Sequence, residues 1–194
     1  MTGMSGGAMV LGIGNVLWAD EGFGVRAVEA LNAGWTCGPE VRLVDGGTQG
    51  LALLPVVGEA GLLVILDAVD FGLAPGTLMV AADDEVPRYL TAKKLSLHQT
   101  SFQDVLALAQ ISGRAPARMV LVGVQPCDLD TYGGGLSAPV AARIGEAVDL
   151  VRAHLAGAGF ALAPRAAGEE AEPLGPAAVA VTFGEPAAQA AEAS

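Results

Sequence analysis

The stretch Leu62-Leu63-Val64-Ile65-Leu66-Asp67 decides the fold. Five apolar residues in an unbroken run, closed by a carboxylate, describe a strand buried on both faces, because a strand with one wet face would alternate. Upstream, Ala8 to Ile13 repeats the pattern and leads through a glycine-rich loop into a helix from about Glu21 to Leu31. Val41 to Val44 is a further strand that ends in Asp45-Gly46-Gly47-Thr48, and a helical stretch from Leu51 to Val57 follows. Downstream of Asp67, the Pro75-Gly76 turn introduces a strand from Thr77 to Ala81. A long polar connection then passes Lys93 and Lys94 and places His98 in a loop. Phe102, Val105, Leu106 and Leu108 give Ser101 to Ile111 a helical spacing. Arg118 to Val124 is the last strand, closed by Gln125-Pro126. Ser137-Ala138-Pro139 opens the last helix, with Ser137 as N-cap and proline in the first turn, and the helix runs to about Leu155.

Strands alternating with helices predict an α/β fold: a single three-layer domain in which a mostly parallel, five-stranded twisted sheet lies between helices. The domain is expected over residues 1–162. Residues 163–194 are rich in alanine, proline and glutamate and are expected to form a disordered acidic tail.

The composition agrees. A length of 194 residues fits one domain, and 52% hydrophobic against 16% charged residues excludes a disordered chain or a coiled coil. Aromatic residues are only 5%, so the core must be built from Val, Leu, Ile and Ala. Acidic residues outnumber basic ones 21 to 10, and a net charge of −11 repels phosphate backbones and anionic membranes. No nucleic-acid partner is expected. The run Leu62 to Leu66 is too short to span a bilayer, and the uncharged first residues lack the basic start of a signal peptide. A soluble, cytoplasmic protein without membrane insertion is the expectation. A monomer is expected too, since no heptad or exposed apolar helix stands out. Cys37 and Cys127 form no C-x-x-C or zinc spacing and read as buried, reduced thiols.

In an open parallel sheet, ligands bind at the carboxyl ends of the strands. Asn15, Asp20 and Glu21, then Asp45 and Thr48, then Asp67 and Asp70, and finally Gln125 all fall just after those ends. The loop from Gly12 to Gly24 begins like a dinucleotide fingerprint, but Leu17 replaces the third glycine, and Asp20-Glu21 oppose an anion at the helix start. Two readings of Asp20 and Glu21 stay open: compensation of the helix dipole, worth roughly 0.3–1 kcal/mol each, or cation ligands. Asp67 is either a turn residue or a ligand, Asp70 reads as a turn residue, and the Asp45 to Thr48 run is either a glycine turn or a binding segment. Glu21, Asp67 and His98 together would suit a borderline divalent ion such as nickel, zinc or iron. His154 reads as a surface group near the end of its helix. No Gly-x-Ser-x-Gly elbow and no Walker lysine is present.

The motifs Gly12-Ile13-Gly14-Asn15, Asp20-Glu21-Gly22-Phe23-Gly24-Val25-Arg26, Asp45-Gly46-Gly47-Thr48, Leu66-Asp67-Ala68-Val69-Asp70, Leu97-His98-Gln99-Thr100-Ser101-Phe102 and Gly123-Val124-Gln125-Pro126 occur in this order. Together with Pro75-Gly76 and Leu136-Ser137-Ala138-Pro139-Val140, they make the chain resemble the hydrogenase maturation proteases, endopeptidases that trim the large subunit of NiFe hydrogenases. The resemblance covers roughly residues 8–157. It implies that Glu21, Asp67 and His98 are catalytic and bind nickel. It also implies that the nickel arrives in the precursor (zinc or cadmium could replace it in a crystal), and that Asp45, Gly46, Gly47 and Thr48 recognise substrate.

On that resemblance the chain would remove a C-terminal peptide from the nickel-loaded large-subunit precursor. The cation would polarise the carbonyl or activate a water, with Glu21 or Asp67 as general base. Two rival expectations are a module that binds the nickel centre without cutting and a free-standing metallohydrolase on small substrates. A dinucleotide-dependent enzyme is the weakest rival.

Overall fold

Continuous apolar strands need a helical layer on each face, and the computed structural model builds both. It describes residues 6–91 and 97–175, side chains excepted at 91 and 97–101. Strand β1 (Ala8–Ile13) leads through a 3-10 turn (Ala19–Gly22) into helix α1 (Phe23–Gly34). Short β2 (Trp35–Cys37) and β3 (Val41–Gly47) precede a second 3-10 turn (Gly50–Leu53) and α2 (Leu54–Val57). Then come β4 (Leu62–Ala68), β5 (Leu78–Ala82), α3 (Glu85–Thr91), α4 (Leu97–Ile111) and β6 (Arg118–Val124). The chain continues through α5 (Ala138–Ala141), α6 (Ile144–Gly157) and β7 (Leu162–Pro164).

The five-stranded sheet has the order β3-β1-β4-β6-β5. Four strands are parallel and only β5 runs antiparallel, against β6. All seven residues of β4 are buried. Alternate side chains separate the core into two layers. Val10, Val64 and Leu66 pack with Val28 and Leu31 of α1 and with Val151 and Leu155 of α6. Leu11, Leu63 and Ile65 face the other way, towards Val57, Phe102 and Val105. Each such aliphatic side chain contributes roughly 1.5–3 kcal/mol when fully buried, so the sheet is held from both sides.

The structure departs from the sequence reading in four places. The polar connection after β5 contains α3, and His98 lies in the first turn of α4 rather than in a loop. The last helix is broken at residues 142–143 into α5 and α6; Ser137 holds the expected N-cap position with proline in the first turn, but its hydroxyl goes to Asp20 and makes no cap hydrogen bond. Neither cysteine is buried: Cys37 is half-exposed and Cys127 exposed.

The fourth departure concerns the tail. It does not begin at Ala163, because β7 pairs antiparallel with β2 and carries the ordered chain past that point. Beyond it, the Arg165 guanidinium donates from Nε (3.1 Å) and Nη2 (2.9 Å) to the Asn32 carbonyl. Asn32 in turn donates from Nδ2 to the Glu172 carbonyl at 2.7 Å, and Leu174 packs on the α1 side of the core. Residues 165–175 thus form a strap along α1. The remainder of the expected tail, 176–194, lies outside the described residues.

Arg165 anchors this strap through one side chain that is mostly enclosed. Arg165→Ala is expected to cost about 1–3 kcal/mol in thermal unfolding and to open residues 165–175 to limited proteolysis, read by mass spectrometry.

Candidate active site

The carboxyl end of the sheet is shaped by glycines that let backbone meet backbone. Gly14 has φ +133°, and a Cβ there would lie 1.8 Å from the Glu21 carbonyl oxygen. A Cβ on Gly24 would lie 2.1 Å from the Leu66 carbonyl oxygen and 2.3 Å from that of Ile13. Side chains at these positions would push the 3-10 turn and the start of α1 off the strand ends. With glycine, the turn that carries Glu21 packs on β4, whose penultimate residue is Asp67.

Asp20 and Glu21 are neighbours with opposite fates. Asp20 is fully buried and accepts four hydrogen bonds. Its Oδ2 takes the N–H of Cys127 (2.8 Å), the N–H of Asp128 (2.9 Å) and the Ser137 hydroxyl (2.8 Å). Its Oδ1 takes the Ser137 N–H at 2.7 Å. The backbones are stitched as well: Ala19 N–H donates to the Thr131 carbonyl and Asp20 N–H to that of Asp128, both at 3.0 Å. Asp20 is therefore an anchor between two loops. Its oxygens are taken by these four donors, which does not match the ligand reading, while its place in the first turn of the 3-10 segment is the one the helix-dipole reading expected. Glu21, next in the chain, stays half-exposed.

Asp67 is 2% exposed and pairs in register with Gly123 of β6. The following loop is fixed by Gln125, whose Oε1 accepts from Phe71 N–H (2.7 Å) and Leu73 N–H (3.0 Å). Gln125 Nε2 donates to Asp70 Oδ1 at 3.0 Å. Asp70 is the turn residue expected, its Oδ1 accepting the Gly72 N–H at 3.0 Å, and the bond from Gln125 ties that turn into the network that holds the loop after Asp67.

Asp45, Gly46 and Gly47 form the bulged end of β3, where the register with β1 slips between Gly12 and Ile13. Gly46 is buried against Leu11, and Thr48 is exposed. Asp45 Oδ1 is buried and accepts no hydrogen bond among the described residues. Burial pushes the Asp45 carboxyl above the usual carboxylate range, and Glu29 pushes it the same way. The Gly47 N–H and Arg26 offset only part of this. The strap ends here: a Cβ on Gly175 would lie 3.7 Å from Asp45 Oδ2.

Glu21 and Asp67 therefore lie at the same end of the sheet, on two elements that pack together, with Asp45 on the flanking strand. His98 begins α4, and its side chain lies outside the described residues. Among the described residues no group of three His, Cys, Asp or Glu side chains is gathered as a cation site. Asp20, Ser137 and Gln125 were the functional supports that sequence reasoning missed or undervalued. The adjacency of two acids at a helix start was the one available signal, since both cannot face the same way.

Comparison with known proteins defines the class. The HycI hydrogenase maturation protease family matches residues 25–154. The chain belongs to the hydrogenase maturation proteases and is an endopeptidase of that type. It is 54% identical over 181 residues to the hydrogenase expression/formation protein HupM of Azotobacter chroococcum, covering 93% of this chain and 86% of that one. It is 41% identical over 160 residues to the hydrogenase 2 maturation protease of Escherichia coli, covering 82% of this chain and 96% of the relative. The solved structure of the hydrogenase maturating endopeptidase HybD from E. coli superposes with a TM-score of 0.78 at 40% identity, covering 82% of this chain and 98% of that one.

Two predictions follow from the carboxylates. Asp20→Ala leaves buried donors unmet and is expected to cost about 2–4 kcal/mol, measured by denaturant unfolding. Because the folded Asp45 carboxyl takes up its proton at higher pH than the unfolded one, its charge destabilises the fold at neutral pH, and this penalty fades as pH falls through the raised value. Asp45→Asn should raise the melting temperature at pH 7, with the gain shrinking as the pH falls into the carboxylate range.

Proposed function

We propose that this endopeptidase removes the C-terminal peptide of a nickel-loaded NiFe hydrogenase large-subunit precursor, in the cytoplasm, with nickel carried in by the substrate. The observation that supports this reading most is that half-exposed Glu21 and buried Asp67 lie on packed elements at one end of the sheet, which the bulged Asp45-Gly46-Gly47 segment flanks. Membership of the family supplies the reaction class.

Two carboxylates and the His98 imidazole match the preferences of a borderline divalent ion. Nickel brought by the precursor would supply a Lewis acid beside the scissile carbonyl. The chain's own residues do the rest. One carboxylate accepts a proton from water as the water oxygen attacks the carbonyl carbon. The C–N bond then breaks, and the proton passes to the leaving amine. Both Glu21 and Asp67 have the chemistry for that role. Asp20 and Gln125 keep the two supporting loops from moving, which preserves the geometry such a step needs. Asp45 to Thr48 would take the substrate backbone along the bulged strand end, where Thr48 is open to solvent. No helix among the described residues is long and apolar enough to cross a membrane.

Glu21→Gln and Asp67→Asn, each incubated with nickel-loaded precursor, are expected to lower the cleavage rate by about 100-fold or more, followed by mass spectrometry of the precursor C-terminus. Undiminished cleavage by both variants would remove the carboxylates from the mechanism.

A further inference from the structure

Trp18 and Tyr132 are the two aromatic side chains among the exposed large hydrophobic residues described, at 37% and 67% exposure. They come from different loops, yet their rings are 5.4 Å apart in an edge-to-face arrangement at 73°. The two residues also form an isolated antiparallel bridge. The Gly133 N–H donates to the Leu17 carbonyl at 2.7 Å, and Ala19 to the Thr131 carbonyl at 3.0 Å, so the backbone is laced on both sides of the pair. Below them Asp20 locks the same two loops together. Between Trp18 and Asp20, Ala19 is held at φ +24°, a conformation that costs free energy for a residue with a Cβ. The chain thus maintains two exposed rings in a fixed place, on a strained and heavily braced backbone. Glu21, whose N–H donates to the Trp18 carbonyl at 2.8 Å, is part of the same turn.

We propose that Trp18 and Tyr132 form a docking clasp for the polypeptide substrate, and that the clasp takes a lysine or arginine side chain of the precursor. This rests on the reading that the chain cuts a large-subunit precursor. Rigid exposed aromatics are the residues that anchor protein interfaces, and pre-bracing removes much of the ordering cost of binding. The charge of the loop that carries Tyr132 favours a cation. Asp130 is exposed two residues before Tyr132. Asp128 carries a carboxylate held below its usual range by the Thr131 hydroxyl and by the N–H groups of Asp130 and Thr131. A guanidinium or ammonium group over a ring face gains from the ring quadrupole and from these acids at once. Substrate specificity then lies in the clasp, one turn away from the carboxylates that act on the bond.

The test is steady-state cleavage and direct binding of nickel-loaded precursor by the full chain, comparing wild type with Trp18→Ala/Tyr132→Ala, Trp18→Phe/Tyr132→Phe and Asp130→Lys. Thermal melts establish that each variant is folded. The double alanine variant is expected to raise KM and Kd about tenfold or more while kcat stays within about threefold. The double phenylalanine variant should keep most of the affinity, and Asp130→Lys should weaken it. Unchanged KM and Kd in the folded alanine variant would overturn the clasp while leaving the protease reading intact. Equal weakening of kcat, with KM unchanged, would also overturn it in favour of a purely structural role. If wild type binds the precursor without cutting it, the protease reading fails, and the clasp is judged by Kd alone. If wild type neither binds nor cuts, both fall.

Discussion

A carboxylate buried without a cationic partner is expensive unless neutral donors replace the water it loses. Asp20 meets that condition with three N–H groups and one hydroxyl, all from the segment between Cys127 and Ser137. This one side chain ties the loop after β1 to the loop after β6, although β4 lies between those strands in the sheet. The tie spans the strand that carries Asp67. Everything proposed for the site depends on it, because Glu21 extends from the residue next to the anchor.

Close packing of glycine backbones works with the anchor. Gly14 and Gly24 bring the Glu21 turn and the first residues of α1 into contact with the strand ends, at separations where a methyl group has no room. The parallel sheet supplies the frame: β1, β3, β4 and β6 all end at the same edge, so residues far apart in the chain arrive together. The bulge at Asp45 to Gly47 interrupts the register of the flanking strand end, and burial holds the Asp45 carboxyl above its usual range.

Much of this was legible in the sequence. Unbroken runs such as Leu62 to Leu66 implied a sheet covered on both faces, and the polar residues after the strands do lie at one end of that sheet. What the sequence hid has physical causes. Asp20 and Glu21 look alike in composition, and only the path of the 127–137 loop separates the buried anchor from the half-exposed acid. The β2–β7 ribbon has three residues per strand and no periodicity to detect. The strap is held by Arg165 and Asn32, whose partners lie more than a hundred residues away along the chain. The Trp18–Tyr132 pair likewise exists only once two loops have been laced together.

Glu21, on the turn that Asp20 braces, and Asp67 are proposed to act on a substrate that carries its own nickel. The most direct measurement is intact-mass analysis of one large-subunit precursor, nickel-loaded or nickel-free, incubated with the wild-type chain after treatment with a chelator and its removal. The account predicts that a single C-terminal peptide is lost from the loaded precursor and that the nickel-free precursor keeps its full mass. Equal cleavage of both forms, or cleavage of neither when loading is verified, would contradict it.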